Sequence, residues 1–317
     1  MPDIMSHWLL GRRICRDSFL AELYPDIDNA AFLWGCQGPD ILFYHRNLPW
    51  QSGSLHQYGT AMHKGNPSTL LRSLAKVCRY CAGREDYRLI YSYALGFCSH
   101  YCYDRTVHPL VYYNIELLEK TDERGKNFKY HNVIENNLDV MLLLHDTGRR
   151  TCDMNLGDCL PDCDGIDSAA ALLYSLLICD LYGQHTPRKS AVTLAGDFRY
   201  MISLRNDSRF IKKPIAEAAE KLIPYIRPGT AGGVLSSRFH PKTEETDFDY
   251  GNMTGSVWYY PQDRSVRSSR NFFELTDMAQ AESLRLMELF AGEVSRKGSA
   301  DFDMFTEKIN FSGWKVE

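Results

Sequence analysis

Hydrophobic side chains recur along this chain at helical spacing, three and four residues apart, and seldom in the alternation that is typical of strands. The clearest helix start is Asn66-Pro67, an N-cap residue followed by a proline at the first helical position, before STLLRSLAKVCRYCAG. Thr186-Pro187 gives the same signal before RKSAVTLAGDFRYMISL. The pattern predicts an all-α, multi-helix fold, with further helices over 86–107, 109–120, 131–145, 168–182, 214–223 and 272–296.

The segment 225–270 interrupts this pattern, because it has no sustained period and is rich in Gly, Pro, Asp and aromatic residues. We expect a long ordered loop here, since the run Trp258-Tyr259-Tyr260 needs a surface to pack against. Loops of this length are uncommon in compact domains and are usually either functional or disordered. No repeat, low-complexity tract or linker divides the chain, so we expect a single domain over residues 1–317.

Composition and charge exclude several classes of partner. The chain has 317 residues, 44% of them hydrophobic, and a net charge of -4, so it lacks the basic field that supports stable nucleic-acid binding. The arginines of MPDIMSHWLLGRRICRD follow a short apolar stretch, which is not typical of a secretory signal. The apolar stretch at 168–179 is too short for a transmembrane segment. We therefore expect a cytoplasmic protein, and the sequence does not predict its oligomeric state.

The stretch GFCSHYCYDRTVHPLVYY, residues 96–113, places His100, Asp104 and His108 four residues apart. On a helix each such step advances about 6 Å and rotates about 40°, so His100 and Asp104 share a face and can share a metal ion. Asp104 has two oxygens and could bridge two metals. We expect the helix to end near Val107, because a residue that precedes a proline disfavours the α region. His108 would then lie at the corner between two helices.

A second pair of possible metal ligands follows in YHNVIENNLDVMLLL, where His131 and Glu135 also lie one turn apart. Eight of the ten histidines fall within the first 145 residues. A single helix histidine is usually a hydrogen-bonded core or surface residue, but two helical pairs of ligand type together favour a metal site.

The cysteines offer an alternative site. Cys78 and Cys81 form a CxxC pair, and Cys98 and Cys102 lie one helical turn apart, so a thiolate zinc or redox site is possible. All four lie in apolar helical stretches, where cysteines usually act as small hydrophobic residues. The histidine and carboxylate pairs are therefore the preferred candidates.

Taken together, these residues resemble the zinc-dependent phospholipase C family, whose relatives include single-strand-specific zinc nucleases. The family pattern of His-x3-Asp, a His next to Pro and a later His-x3-Glu is similar to His100-Asp104, His108-Pro109 and His131-Glu135. The other ligands of the family resemble His7 in SHWLL, Asp40 in GCQGPDILFY and His63 in GTAMHKG, with His56 as a competitor for His63. The match in order and spacing covers residues 1–145.

The resemblance implies an all-α domain of this type that holds two or three zinc ions. It assigns one ion to His63, His100 and Asp104, a second to His108, His131 and Glu135, and a third to His7 and Asp104. The N-terminal Trp whose amine binds zinc in the secreted phospholipases is absent here, and Asp3 is the candidate replacement ligand because it lies close to His7. Asp40 would be a zinc ligand, the base that takes the proton of water, or both.

The leading functional hypothesis is zinc-dependent hydrolysis of a small phosphodiester or phospholipid. The alternatives are a zinc-dependent nuclease or nucleotide hydrolase and a zinc-holding binding protein without turnover. The organic part of a phosphodiester needs an apolar wall, which Trp258 would supply from the long loop, or Phe43 and Tyr44 beside Asp40. The sequence does not identify the substrate.

Overall fold

The computed structural model describes residues 4–48, 50–186, 191–223, 232–295 and 300–317. These residues are mostly helical, which confirms the all-α prediction. The helices of the ligand-bearing part are α1 (Ile4–Cys15), α2 (Ser18–Leu23), α3 (Asn29–Gly35), α4 (Ile41–Tyr44), α5 (His56–Lys64), α6 (Pro67–Cys81), α7 (Tyr87–Thr121) and α8 (Tyr130–Thr147).

The described residues after α8 add further helices and a small two-stranded sheet. The helices are α9 (Ile166–Tyr182), α10 (Leu194–Arg205), α11 (Lys212–Glu220), α12 (Phe272–Val294) and α13 (Phe302–Thr306). Strands β1 (Trp258–Tyr260) and β2 (Asp263–Ser268) form an antiparallel pair. Short 3-10 turns lie at Gly38–Asp40, Thr151–Asp153, Leu156–Cys159 and Ser236–Arg238.

Helix α7, with 35 residues, is the centre of the fold. Helices α1, α3, α6, α8, α9 and α12 all pack against it. Buried hydrophobic residues from Ile4 in α1 to Phe311 near the C-terminus belong to one contiguous cluster around this helix. The expectation of a single domain over 1–317 stays a prediction. In the described part of the chain, no helix combines the length and the hydropathy that crossing a membrane requires.

The prediction that a helix ends near Val107 is wrong, because α7 continues through Pro109 without a break. A proline inside a helix removes one backbone hydrogen bond and costs about 3 kcal/mol. Here the residues on both sides of it, His108 and Leu110, are buried, and α7 packs against α12. Tertiary packing therefore outweighs the local preference of the proline, and His108 lies within the helix instead of at a corner.

The predicted helix starts have different outcomes. The Asn66 side chain accepts hydrogen bonds from the backbone N–H groups of Ser68 and Thr69, at 3.0 and 3.3 Å, and Pro67 opens α6 as predicted. At the second start, Pro187 lies outside the described residues, and within them α10 begins at Leu194.

The prediction of an irregular loop over 225–270 is partly wrong. Residues 224–231 lie outside the described residues, but the segment that follows contains the Ser236–Arg238 turn and the β1–β2 hairpin. A strand of three residues such as β1 is too short to produce a detectable alternation in the sequence.

The structure does not support Trp258 as a substrate-binding residue. Its side chain is fully buried, and its indole N–H donates to the carbonyl of Arg270 at 2.9 Å. Its ring lies 6.4 Å from that of Tyr113 on α7 and 5.3 Å from that of Tyr260. Trp258 therefore attaches the hairpin to the central helix.

We expect Trp258→Ala to lower the free energy of unfolding by about 3–5 kcal/mol, the usual cost of truncating a buried aromatic side chain. Zinc content and KM of the folded fraction should not change. Urea unfolding of the purified variant measures this, with Trp50→Ala as the control, since Trp50 is 78% exposed. Unchanged stability with a raised KM would return Trp258 to the substrate pocket.

Candidate metal centre

Because α7 is continuous, it presents three candidate ligands on successive turns of one face. Asp104 is fully buried, and its Oδ2 lies 3.4 Å from His100 Nε2 and 3.9 Å from His108 Nδ1. The carboxylate thus lies between two imidazoles, one turn before it and one turn after it.

Two glycines bring Asp40 to this face of α7. A Cβ at Gly35 would collide with the backbone of Tyr93, and one at Gly96 would collide with the carbonyl of Phe32, so only glycines allow α3 and α7 to approach so closely. Beyond the crossing, the carbonyl of Cys36 accepts a hydrogen bond from His100 Nδ1 at 3.0 Å. The chain then turns toward the His100 ring and places Asp40 near its Nε2.

Gly38 shapes this turn, since its φ of +47° is a conformation that favours glycine and a Cβ there would collide with the His100 ring. Asp40 follows two residues later, and its Oδ1 lies 3.9 Å from His100 Nε2 and 3.0 Å from His63 Nε2. The sequence motif around Asp40 therefore forms a turn that places the Asp40 carboxylate beside two histidines.

His63 lies in the last turn of α5 and faces the same carboxylates. Its Nδ1 is 2.8 Å from the carbonyl of Gly59, and its Nε2 is 3.7 Å from Asp104 Oδ2. His56, the competing residue, is exposed and packs edge-on against the ring of Phe43. The structure thus places His63 among the candidate ligands and His56 outside them.

His7 approaches from α1. Its Nε2 lies 3.3 Å from Asp104 Oδ1, and its ring stacks on that of His100 with the centroids 4.1 Å apart. Asp3, its proposed partner, lies outside the described residues.

The position of α1 depends on Asp139, which sequence reasoning missed. This buried carboxylate on α8 accepts hydrogen bonds from the backbone N–H groups of Met5 and Ser6, at 3.2 and 2.8 Å, and from the Ser6 hydroxyl. His240 Nε2 lies 3.0 Å from Asp139 Oδ2, the oxygen that also accepts from Met5. Asp139 lies one helical turn after Glu135, which is the only signal in the sequence that points to it.

The remaining candidate ligands meet between α7 and α8. Glu135 Oε1 lies 2.7 Å from His131 Nε2 and 3.4 Å from His108 Nε2. His108 Nδ1 is 2.6 Å from the carbonyl of Phe311, so the C-terminal segment holds this ring in place.

Three groups of ligand atoms result, and within each group all atoms lie within 4.8 Å of one another. The sequence prediction paired His63 and His100 with Asp104, but Asp40 is the carboxylate closer to His63, and Asp104 is grouped with His7 and His100. The groups are His7, His100 and Asp104; Asp40, His63 and His100; and His108, His131 and Glu135.

The donor atoms fit zinc, because many of them have no hydrogen-bond partner in the described structure. A buried polar atom without a hydrogen bond costs about 1–3 kcal/mol, and several such atoms belong to the three ligand groups. Nitrogen and carboxylate oxygen are ligands that zinc accepts. Among the described residues, the ligand atoms that lack a hydrogen bond include Nε2 of His7, His63, His100 and His108, Oδ1 of Asp40 and both oxygens of Asp104.

The hydrogen bonds on the far side of the rings support the same conclusion. A carbonyl can only accept, so the Nδ1 atoms of His63, His100 and His108 must carry the proton in their bonds to the backbone. Each Nε2 then presents its lone pair to the group, which is how metal-binding histidines are oriented.

The charges of the carboxylates also suit metal binding. Burial acts to raise the pKa of Asp104, but the rings of His100 and His108 outweigh it and hold the pKa well below its usual range. Burial is likewise outweighed at Glu135, where His131 and His108 lower the pKa. At His7, burial and the neighbouring His100 lower the pKa. Asp104 and Glu135 therefore favour the ionised carboxylate and His7 the neutral imidazole, which are the forms that bind metal. At His100 and His108 the neighbouring carboxylates outweigh burial and raise the pKa, so metal binding there would displace a proton.

A cavity of about 370 Å³ opens beside these groups. Asp40 and Glu135 reach its surface, Phe43 and Tyr44 line it, and Trp258 is not among its lining residues. Phe198 adds a further aromatic side chain to the wall. The cavity thus combines ligand carboxylates with an aromatic surface.

The cysteine alternative is not supported by the structure. Cys78, Cys81, Cys98 and Cys102 are all buried, and no ligand group in the described part of the chain contains a cysteine. Burial raises the pKa of Cys102 to about 12, which disfavours the thiolate form that binds metal. His45 is also buried away from the groups, where its Nδ1 accepts from the N–H of Leu55 at 3.2 Å.

Comparison with known proteins gave one informative result. The model of the family described as zinc dependent phospholipase C matches residues 6–180. This span covers more than half of the chain and includes every candidate ligand from His7 to Glu135. Neither the curated proteins nor the solved structures gave a match.

Proposed function

Since this chain belongs to the zinc-dependent phospholipase C family, we propose that it is a zinc-dependent hydrolase of small phosphodiesters or phospholipids. The observation that carries the proposal is the convergence of buried ligand atoms, several of them without a hydrogen bond in the described part of the chain, beside an aromatic-lined cavity. A purely structural cluster would give its buried polar atoms partners within the protein.

Two or three zinc ions would be held by the three groups of side chains. His108, His131 and Glu135 would hold one ion, while His63 and His100 would hold another with Asp40 and Asp104. His7 and Asp104 would hold a third with the help of Asp3. When bound, the ions would polarise a phosphoryl oxygen and lower the pKa of a water molecule.

The side chains around the cavity would do the remaining work. Asp40 would accept the proton of the attacking water, because its carboxylate reaches the cavity surface and lies next to the histidine ligands. Phe43 and Tyr44 would pack against the organic part of the substrate. Cys36 and Gly59, through their carbonyls, would keep His100 and His63 in the orientation that binds metal.

The test combines metal analysis with turnover. Elemental analysis of protein purified without chelator should give two or three zinc ions per chain, and chelation should abolish hydrolysis until zinc is restored. The panel should contain phosphocholine esters, glycerophosphodiesters and short oligonucleotides, since preferred cleavage of the last would favour a nuclease. Cys78→Ala/Cys81→Ala serves as the control and should keep all its zinc.

One outcome would overturn the proposal and another would limit it. Protein with one zinc ion or none, and no turnover after zinc is added, contradicts a multinuclear hydrolase. Protein with two or three ions that cleaves nothing in the panel would favour the zinc-holding binding protein.

A further inference from the structure

Residues 309–315, the C-terminal strap, lie against the central helix α7. The carbonyl of Ile309 accepts a hydrogen bond from the hydroxyl of Tyr101 at 2.7 Å. The hydroxyl of Ser312 accepts one from the hydroxyl of Tyr112 at 3.4 Å. Both tyrosines belong to α7 and lie on different turns of it, so the strap runs along this helix beside the ligand groups.

Within the strap, Phe311 contacts two of the three ligand groups. Its carbonyl oxygen lies 2.6 Å from His108 Nδ1. Its ring centroid lies 5.0 Å from that of His63 and 5.8 Å from that of His100. The Phe311 side chain is buried. One residue of the strap therefore reaches both the ligand group that contains His108 and the one that contains His63.

The strap meets α7 at the proline inside that helix. Pro109 has no N–H group, so the carbonyl of Arg105 receives no helical hydrogen bond from it. Gly313 lies at this point with a φ of +76°, and a Cβ there would lie 2.6 Å from Pro109 Cγ and 3.5 Å from the Arg105 carbonyl oxygen. A residue larger than glycine would therefore displace the strap from the helix.

Asn310 folds the strap into a compact turn. Its buried side-chain oxygen accepts hydrogen bonds from the backbone N–H groups of Ser312 and Trp314, both at 3.0 Å. The Asn310 N–H donates to the carbonyl of Trp314 at 2.8 Å, and the Gly313 N–H donates to the carbonyl of Asn310 at 3.0 Å. Because these bonds enclose Phe311, a displacement at Gly313 would also move the Phe311 carbonyl.

The Phe311 carbonyl determines which nitrogen of His108 can bind a metal. A carbonyl only accepts, so His108 Nδ1 carries the proton, and Nε2 faces Glu135 Oε1 at 3.4 Å. Loss of such an outer hydrogen bond typically lowers metal affinity by about 10–100-fold. The carbonyls that orient His63 and His100 lie within the family match, but Phe311 lies beyond residue 180, where the match ends.

Building on the zinc binding of the function proposed above, we propose that Phe311 and Gly313 are positioning residues of the metal centre. The strap holds His108 in the orientation that binds zinc, and zinc bound by His108, His131 and Glu135 in turn holds the strap against α7. Coupling between two such events is reciprocal. The C-terminal segment is thus a part of the metal centre as well as of the hydrophobic core.

The first test displaces the strap from α7. Gly313→Ala should raise the dissociation constant of one zinc ion by about 10–100-fold and leave the other ions unchanged. Gly255→Ala is the matched control, because Gly255 also has a positive φ, of +66°, but a Cβ there would meet no atom within 4 Å. Zinc per chain is measured at increasing chelator concentrations, and thermal melting shows that each variant is folded.

A variant of a ligand identifies the ion that the strap controls. His131→Ala should lose the ion of its group, and His131→Ala/Gly313→Ala should lose no further ion, because both changes act on the same one. Release of a second ion by the double variant would mean that the strap does not act through His108. Gly313→Ala that binds zinc as tightly as Gly255→Ala would mean that the strap only packs. Either result overturns the proposal.

The reciprocal effect is measured on the wild type and needs no change in the strap. Zinc should slow amide hydrogen exchange in the peptide 309–317 by about 10–100-fold, the same factor by which the strap strengthens zinc binding. His131→Ala should lose this protection while it keeps the ions of the other groups. Equal exchange of the peptide with and without zinc would overturn the proposal even if Gly313→Ala does not fold.

These measurements follow metal binding and not turnover, which separates the strap from the proposed hydrolysis. Protein that shows both effects but cleaves no phosphodiester supports the strap while the proposed hydrolysis fails. Protein that hydrolyses phosphodiesters, but whose zinc affinity does not respond to Gly313→Ala, overturns the strap alone. Protein that binds no zinc overturns both.

Discussion

Asp104→Asn is expected to lose at least one zinc ion per chain, to have no measurable hydrolysis and to melt at a markedly lower temperature. Asp104 is fully buried, and its two oxygens face His7, His63, His100 and His108. An amide nitrogen in place of one oxygen would present hydrogens to this space, where a metal requires lone pairs. Because Asp104 is shared between groups, its loss should affect more than one ion.

The stability of the variant can be separated into the effect of zinc and the effect of the side chain. A ligand present at 100 times its dissociation constant stabilises a protein by about 2.7 kcal/mol. When a chelator removes the zinc, the wild type should therefore lose the additional stability that the metal provides. Asp303→Asn is the matched control, since Asp303 is 49% exposed and pairs with Arg72 on the surface. A full complement of zinc in Asp104→Asn would contradict the bridging role.

The candidate ligands on α7 and α8 were predictable from sequence, because helical spacing alone brings residues four apart to one face. The choice between His56 and His63 was not predictable in this way. These residues are seven apart on α5, so they lie on nearly the same face of the helix. They differ in depth: His63 lies beside Asp40 and Asp104, while His56 lies two turns away at the cavity wall.

At Pro109 and Trp258, tertiary packing and not the local sequence pattern determines the structure. The rule that a residue before proline leaves the α region is a preference worth a few kcal/mol, and a helix buried along its length can offset it. An aromatic run in a segment without period indicated a packed loop, but only the fold shows that Trp258 packs inward against α7 and not toward the cavity.

Other contacts of the site could not be predicted from the sequence. Asp139 and His240 are about a hundred residues apart and meet only because the chain returns to α8 after the Ser236–Arg238 turn. Arg205 and Arg238 come together by the same return. Contacts of this kind depend on the tertiary fold, and no spacing rule for helices or strands predicts them.

Asp40→Asn is expected to lower kcat by about 10²–10⁴-fold, the usual contribution of a general base, while the zinc content falls by less than one ion per chain. The ion beside Asp40 should be retained, because His63 and His100 also have Asp104 Oδ2 within 3.7 and 3.4 Å. Asn keeps the size of the side chain but cannot accept the proton of the attacking water.

Measuring kcat and zinc on the same preparation separates the two roles of Asp40. Glu135→Gln is the comparison, since Glu135 supplies the carboxylate of the His108, His131 and Glu135 group and should lose that ion together with activity. If Asp40→Asn loses as much zinc as Glu135→Gln, and added zinc restores its rate, Asp40 is a metal ligand alone. In that case the proton of the attacking water must pass to another group that lines the cavity.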